Sequence, residues 1–224
     1  MKTSFFDIIN SKKVLLLGPA PHIYDPSKTE DFLDFDVIVK VNKMVEKASF
    51  LDDKLNKRND VLYHCMHIDK QNGDEPYSIK NWKINKVKHV RMPFSGTSAH
   101  YRINNNRFIK LNKSYNLEFS ISPVQVFEEL VKNCDYSLPS TGITAINDLI
   151  LNKPSLLDIR GFTFLKTGYK KGYKNEQWIK NKLNRERSTK HNPEKQIEFF
   201  KKLYKSHENI KIDNELLEVI NDKV

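Results

Sequence analysis

Five short apolar runs, each stopped by a residue that turns or ends a strand, limit what this chain can become. They are "KKVLLLG" (Lys12 to Gly18), "DVIVKVN" (Asp36 to Asn42), "DVLYHC" (Asp60 to Cys65), "KHVRMPF" (Lys88 to Phe94) and "SLLDIRGF" (Ser155 to Phe162). Runs this short, rich in Val, Leu and Ile and closed by turn residues, read as buried strands rather than helices. Between and after them lie segments of helical period. "SPVQVFEELVKN" (Ser122 to Asn133) carries Pro123 in its first turn, and a second helix follows Gly142 and ends near Lys153-Pro154. "NPEKQIEFFKKLYK" (Asn192 to Lys205) has Asn192 or His191 as cap and Ile197, Phe200 and Leu203 on one face. A short strand, "NIKI", and a terminal helix, "NELLEVIND", close the chain. Residues 95–120 are polar and Asn-rich with no clear period, and read as a loop or a peripheral helical excursion. Strands alternating with helices predict an α/β fold with a mostly parallel sheet, and 224 residues suit a single domain over 1–224. In such sheets ligands bind at the carboxyl ends of the strands.

Charge and cysteine content narrow the function classes. The formal net charge is +10 and is uneven: nine Lys or Arg stand against Glu176 and Glu186 between Lys166 and Lys190. Such a run suits an anionic small substrate, an anionic membrane surface or nucleic acid, or is simply a solvated loop. No nucleic-acid-binding signature accompanies it, so no nucleic-acid partner is expected. Residues 165–191 read as a mobile basic lid. Cys65 and Cys134 are too few for a disulfide scaffold or a zinc cluster. No apolar run reaches about 18 residues, and "MKTSFFDIINSKK" lacks the pattern of a signal peptide. A cytoplasmic, at most membrane-peripheral, setting is expected.

Several residues stand where chemistry is done. "LLLGPAPHI" (Leu15 to Ile23) is a strand-to-glycine turn able to admit a ribose or phosphate, though it is neither a dinucleotide fingerprint nor a P-loop. Asn42 ends its strand with both a donor and an acceptor, or serves as a plain turn residue. His64, Cys65 and His67 alternate faces on a strand and lack a second ligand pair, so no metal is expected there. "LPSTGITAINDLI" (Leu138 to Ile150) sets Ser140 or Thr141 to cap a helix and Gly142 to let the backbone approach a partner. Helix-start N–H groups form an anion site. His191, between the basic run and a well-formed helix, is either a general base or a cap. Tyr169 and Tyr173, among lysines, can donate to a phosphate or pack on the domain.

Three of these stretches, in this order, resemble the sialyltransferases of glycosyltransferase families 29 and 42. "VLLLGPAPHI…FDVIVKVN" is similar to the large sialyl motif, and "LPSTGITAINDLILNKPSLLDIRGF" to the small one. "KHNPEKQIEFFKKLY" is similar to the final His-containing motif. The resemblance implies a single Rossmann-like domain of the sialyltransferase type (a GT-A variant). It implies a metal-independent, inverting transferase that moves an acidic sugar from its CMP ester to a glycan or glycolipid hydroxyl. Sialic acid is the leading donor, with Kdo or a related sugar as alternatives, and no cofactor is implied. By position, Gly18, Pro19, Ala20 and Asn42 would meet the nucleotide, and His64 would sit on the cytidine side. Ser140, Thr141, Gly142, Gly161 and Phe162 would line the donor site. His191 would deprotonate the acceptor, and Tyr169 or Tyr173 would steady the departing phosphate. Pro19 stands where these families carry Asn, and the family 29 cysteines are absent, which points to a bacterial or viral relative. A non-catalytic nucleotide- or glycan-binding relative of the same fold is the alternative.

Overall fold

In the computed structural model, residues 4–25, 30–45, 58–66, 77–93, 99–164 and 191–221 are described. Seven strands form one sheet: β1 (Lys13–Leu17), β2 (Val37–Val41), β3 (Val61–Tyr63), β4 (His89–Met92), β5 (Glu118–Ile121), β6 (Leu156–Arg160) and β7 (Ile210–Ile212). Their spatial order is β5-β4-β3-β2-β1-β6-β7, and every neighbouring pair is parallel. The chain builds outward from β1 to β5, then returns to lay β6 on the other side of β1. The α/β expectation therefore holds, and the sheet is wholly parallel rather than mostly so. In the middle of the sheet Leu16 lies opposite Val39 on one side and Ile159 on the other. These continuous apolar runs are what a strand covered on both faces requires.

The helices are α1 (Phe5–Ile9), α2 (Ile79–Ile84), α3 (Ala99–Asn112), α4 (Val124–Asn133), α5 (Thr141–Leu151), α6 (Pro193–Ser206) and α7 (Asn214–Asn221). The larger core gathers α1, α4, α5, α6 and α7 around β1, β2 and β6. A second core, built on Trp82, Phe108 and Leu117, packs α2 and α3 against Leu62, Val90 and Met92. Caps set the helix starts. Pro123 takes the N-cap position of α4 rather than a place inside its first turn. Ser140 caps α5 and accepts from the Ile143 N–H, and Asn192 caps α6 and accepts from the Lys195 N–H.

Region 95–120 takes the helical alternative of its reading over Ala99–Asn112, as the 14-residue α3, and then enters the edge strand β5 (Glu118–Ile121), which that reading did not include. Asparagines hide the period of α3, because here they are structural. Asn105 and Asn112 are buried, and Asn112 closes the turn by donating to the Leu117 carbonyl at 2.8 Å and accepting from its N–H at 3.0 Å.

Beneath the sheet, α5 is fastened by a buried polar network. Asp148 is 2% exposed, and its Oδ2 accepts from Tyr63 at 2.8 Å, Arg91 Nε at 2.8 Å and Ser122 at 2.9 Å. Its Oδ1 takes a second Arg91 bond at 3.0 Å, which makes the pair bidentate. Arg91 also donates to Ser120 at 3.0 Å and lies 4.2 Å over the Phe5 ring. His89 meets Ser120 at 2.7 Å. Burial, and then the Arg91 charge, lowers His89 from 6.5 to about 4.

This shift gives a pH prediction with a definite sign. Below about pH 6.5 the unfolded chain takes up a proton on His89 that the folded chain refuses down to about pH 4. The stability is present above that window and is lost as pH falls through it, by about 3 kcal/mol at its foot. Urea unfolding of the wild type and His89→Gln at neutral pH and at about pH 4.5 is the check. The Gln variant is expected to lose about 2 kcal/mol less on acidification; equal losses would show that His89 does not resist protonation.

Candidate functional site

The site follows from one feature of the topology. β1 and β6 are adjacent, but the chain leaves them toward opposite edges of the sheet. Loops that diverge in this way leave a crevice at the carboxyl ends, the usual ligand position in an open α/β sheet. Gly18-Pro19-Ala20 leaves β1 here, and Gly161-Phe162 leaves β6. The two loops are stitched together: the Gly18 N–H donates to the Arg160 carbonyl at 2.8 Å and the Ala20 N–H to the Gly161 carbonyl at 3.1 Å.

Close approach explains two glycines directly. A Cβ on Gly18 would collide with the Gly161 carbonyl and the Phe162 ring. Gly161 has φ +78°, and a Cβ there would come within 2.6 Å of the Gly18 carbonyl oxygen. Gly142, in the first turn of α5, faces the same Phe162 ring: a Cβ there would lie 2.8 Å from Cε1. Thus Gly18, Gly142, Gly161 and Phe162, from three separate stretches, meet at one place.

The Pro-Ser-Thr-Gly turn and His191 also meet. The His191 Nδ1–H donates to the Leu138 carbonyl at 2.6 Å, across 53 residues of chain. A donor role at Nδ1 selects the tautomer of the neutral ring and leaves the basic lone pair on Nε2. The Ser140 N–H donates to Oε1 of Gln196, in α6, at 3.2 Å, and Gln196 is buried. α6, whose cap Asn192 directly follows His191, thus holds the start of α5. Ser140 uses its hydroxyl as the cap of α5, accepting from the Ile143 N–H at 3.4 Å. Thr141 and Gly142 bring N–H groups to the helix start, where no carbonyl of the helix can take them.

Asn42 and His64 stand one and two strands away along the same carboxyl edge. Asn42 is in the left-handed region at φ 48° and accepts the Cys65 N–H at 3.3 Å, tying the end of β2 to the end of β3. His64 is buried. Its Nδ1 accepts the Met66 N–H at 3.0 Å, and its ring lies 5.3 Å from Tyr77 and 5.0 Å from Trp82. The two residues are thus joined through one loop, on the side of the sheet that carries the smaller core. Tyr169, Tyr173 and residues 165–190 lie outside the described residues.

No protein-family model, curated protein or solved structure matches this chain. Among the described residues no helix is long and apolar enough to cross a membrane.

One group at the crevice escaped the sequence reading. His22, in the turn after Ala20, meets Asp213 at 2.7 Å between Nε2 and Oδ2, and Glu215 at 3.7 Å. Asp213 also accepts the Gly161 N–H at 2.6 Å and caps α7 through the Leu216 N–H at 2.8 Å. The only local signal was an Asp shortly before a helix, a capping pattern that does not disclose a partner 191 residues away.

Proposed function

We propose that the chain is an inverting glycosyltransferase that moves an acidic sugar, sialic acid first among the candidates, from its CMP ester to a glycan hydroxyl. The observation that carries the reading is the joining of His191 to the Pro139-Ser140-Thr141-Gly142 turn, through the 2.6 Å bond to Leu138, beside the crevice between β1 and β6. Breaking the bond from sugar to CMP gives an oxocarbenium-like state. That step needs a base for the acceptor and donors for the growing phosphate charge. His191 Nε2 suits the first task and the N–H groups opening α5 suit the second. The proposal gives Gly18, Pro19, Ala20, Asn42 and His64 to the nucleotide side and Gly161 and Phe162 to the floor of the donor site. Tyr169 and Tyr173 are assigned to the leaving phosphate on the motif resemblance alone. No metal or cofactor is assigned to the chemical step.

A second reading has its own observation. The tight packing of Gly18 on Gly161 accounts for both glycines without a ligand, and Pro19 has no N–H to offer a phosphate. That favours a relative of the same fold that binds a nucleotide or glycan without turnover. Thermal unfolding with CMP, UMP, AMP and GMP at equal concentration is the first test. At a hundredfold excess over Kd a ligand stabilises the native state by about 2.7 kcal/mol, or about 5 to 10 °C for a domain of this size. A shift with CMP alone is the expected result, and release of CMP from CMP-sialic acid on addition of an acceptor then separates enzyme from binder. Equal shifts with all four nucleotides, or none, would overturn the donor assignment.

A further inference from the structure

We propose that His22, Asp213 and Glu215 form a binding site for a divalent transition-metal ion of the zinc class, fastening α7 to the turn after β1. It is distinct from the transfer chemistry and holds whether or not the chain uses CMP. The three ligand atoms lie within 4.8 Å of one another. A zinc ion sits about 2.0–2.2 Å from imidazole nitrogen and carboxylate oxygen, so neighbouring ligand atoms stand about 3–3.5 Å apart. His22 and Asp213 would open slightly from 2.7 Å, and Glu215 would draw in slightly from 3.7 Å. Glu215 is at the start of α7 with its side chain 28% exposed, so a rotation of its long arm suffices.

The rest of the site is already arranged. Asp213 is held at both oxygens by main-chain N–H groups, from Gly161 and Leu216, which fixes the carboxylate as outer-shell donors do in metal sites. Side-chain exposures of 16% for His22 and 11% for Asp213 leave a path from solvent. Two carboxylates facing one imidazole carry an excess of negative charge that a divalent cation neutralises. On binding, the ion takes the Nε2 lone pair and displaces the bond to Asp213, and the neutral ring then carries its single proton on Nδ1. One nitrogen and two carboxylate ligands suit Zn2+, Co2+ or Mn2+, whereas Ca2+ requires more oxygens and Mg2+ keeps its own waters. A bound ion would link residues 191 positions apart across β6.

The test uses the full chain, stripped by chelation and titrated with Zn2+, Co2+, Mg2+ and Ca2+ by calorimetry and thermal unfolding. Expected are one equivalent of Zn2+, a rise of several degrees in Tm, a visible Co2+ absorption band and no response to Mg2+ or Ca2+. Glu215→Gln keeps the bond between His22 and Asp213, so it should fold like the wild type yet bind Zn2+ at least tenfold more weakly. His22→Gln should abolish the Co2+ band. Absence of a stoichiometric Zn2+ event, or Zn2+ binding that Glu215→Gln leaves unchanged, overturns the site. The CMP response is read in the same samples, so a Zn2+ shift without a CMP shift would sink the transferase reading alone, and the reverse would sink only the cation site.

Discussion

Asp148→Ala is expected to cost about 3–5 kcal/mol, the range for leaving one member of a buried ion pair unpaired. The carboxylate accepts from Tyr63 and Ser122 and binds Arg91 twice, and Arg91 is only 5% exposed. Without it, a guanidinium remains beneath the sheet with Ser120 and the Phe5 ring as company. A domain of this kind has about 5–15 kcal/mol to lose, so the variant should approach the unfolding threshold. Its Tm should fall by about 10 °C or more. Urea unfolding at neutral pH measures the loss, and a value under about 1 kcal/mol would mean that Arg91 finds water or another partner.

The comparison with Arg91 makes this more than a deletion result. If the cost is an orphaned charge, removing the charge as well should return part of it, so Asp148→Ala with Arg91→Met should be more stable than Asp148→Ala alone. If instead Asp148 matters mainly as an acceptor for Tyr63 and Ser122, the double variant should be worse than either single one. Burial, followed by the neighbouring Asp148 charge, pushes the Tyr63 phenol well above its ordinary value, so it remains a donor at any practical pH. The network also bears on the site. It anchors the middle of α5 to β3 and β4 and to Ser122 just past β5, and α5 opens with the turn that meets His191.

Different parts of this molecule were legible in the sequence to different degrees, and the reason is distance along the chain. β1, β2 and β6 are nearly continuous apolar runs buried on both faces, a local pattern, and they were read from it. β5, "EFSI", is a partly exposed edge strand whose Ser120 serves the polar network, and its polar–apolar alternation runs for only four residues, too few to stand out beside the longer apolar runs. The caps at Ser140 and Asn192 could be read because a cap bonds its own helix two or three residues on. Asp148 is one acid in an apolar helix, and nothing local discloses its role, because its partners stand 26, 57 and 85 residues away. The glycines were taken for ligand approach, and the fold adds a reason of its own, the contact of Gly18 with Gly161. The meeting of His191 with the Pro-Ser-Thr-Gly turn was carried only by the motif resemblance, since nothing local joins positions 53 residues apart.

His191→Asn is the sharpest probe of the proposed chemistry, because Asn keeps the structural half of the histidine and discards the other. Its side-chain N–H can take the place of Nδ1–H and donate to the Leu138 carbonyl, as His191 does at 2.6 Å. It has no group that can accept the acceptor's proton near neutral pH. Transfer from CMP-sialic acid should therefore fall about 10²- to 10⁴-fold, the range for a positioned general base, while Tm stays near the wild-type value. The CMP-induced shift in Tm should survive, since the ring is assigned to the acceptor side. His191→Ala removes both halves, so it should lose the same activity and also some stability through the unpaired Leu138 carbonyl, about 1–2 kcal/mol. Turnover retained in the Asn variant and lost in the Ala variant would recast His191 as a positioning residue that holds the Pro139-Ser140-Thr141-Gly142 turn against α6. The base would then have to be sought elsewhere on the carboxyl rim of the sheet.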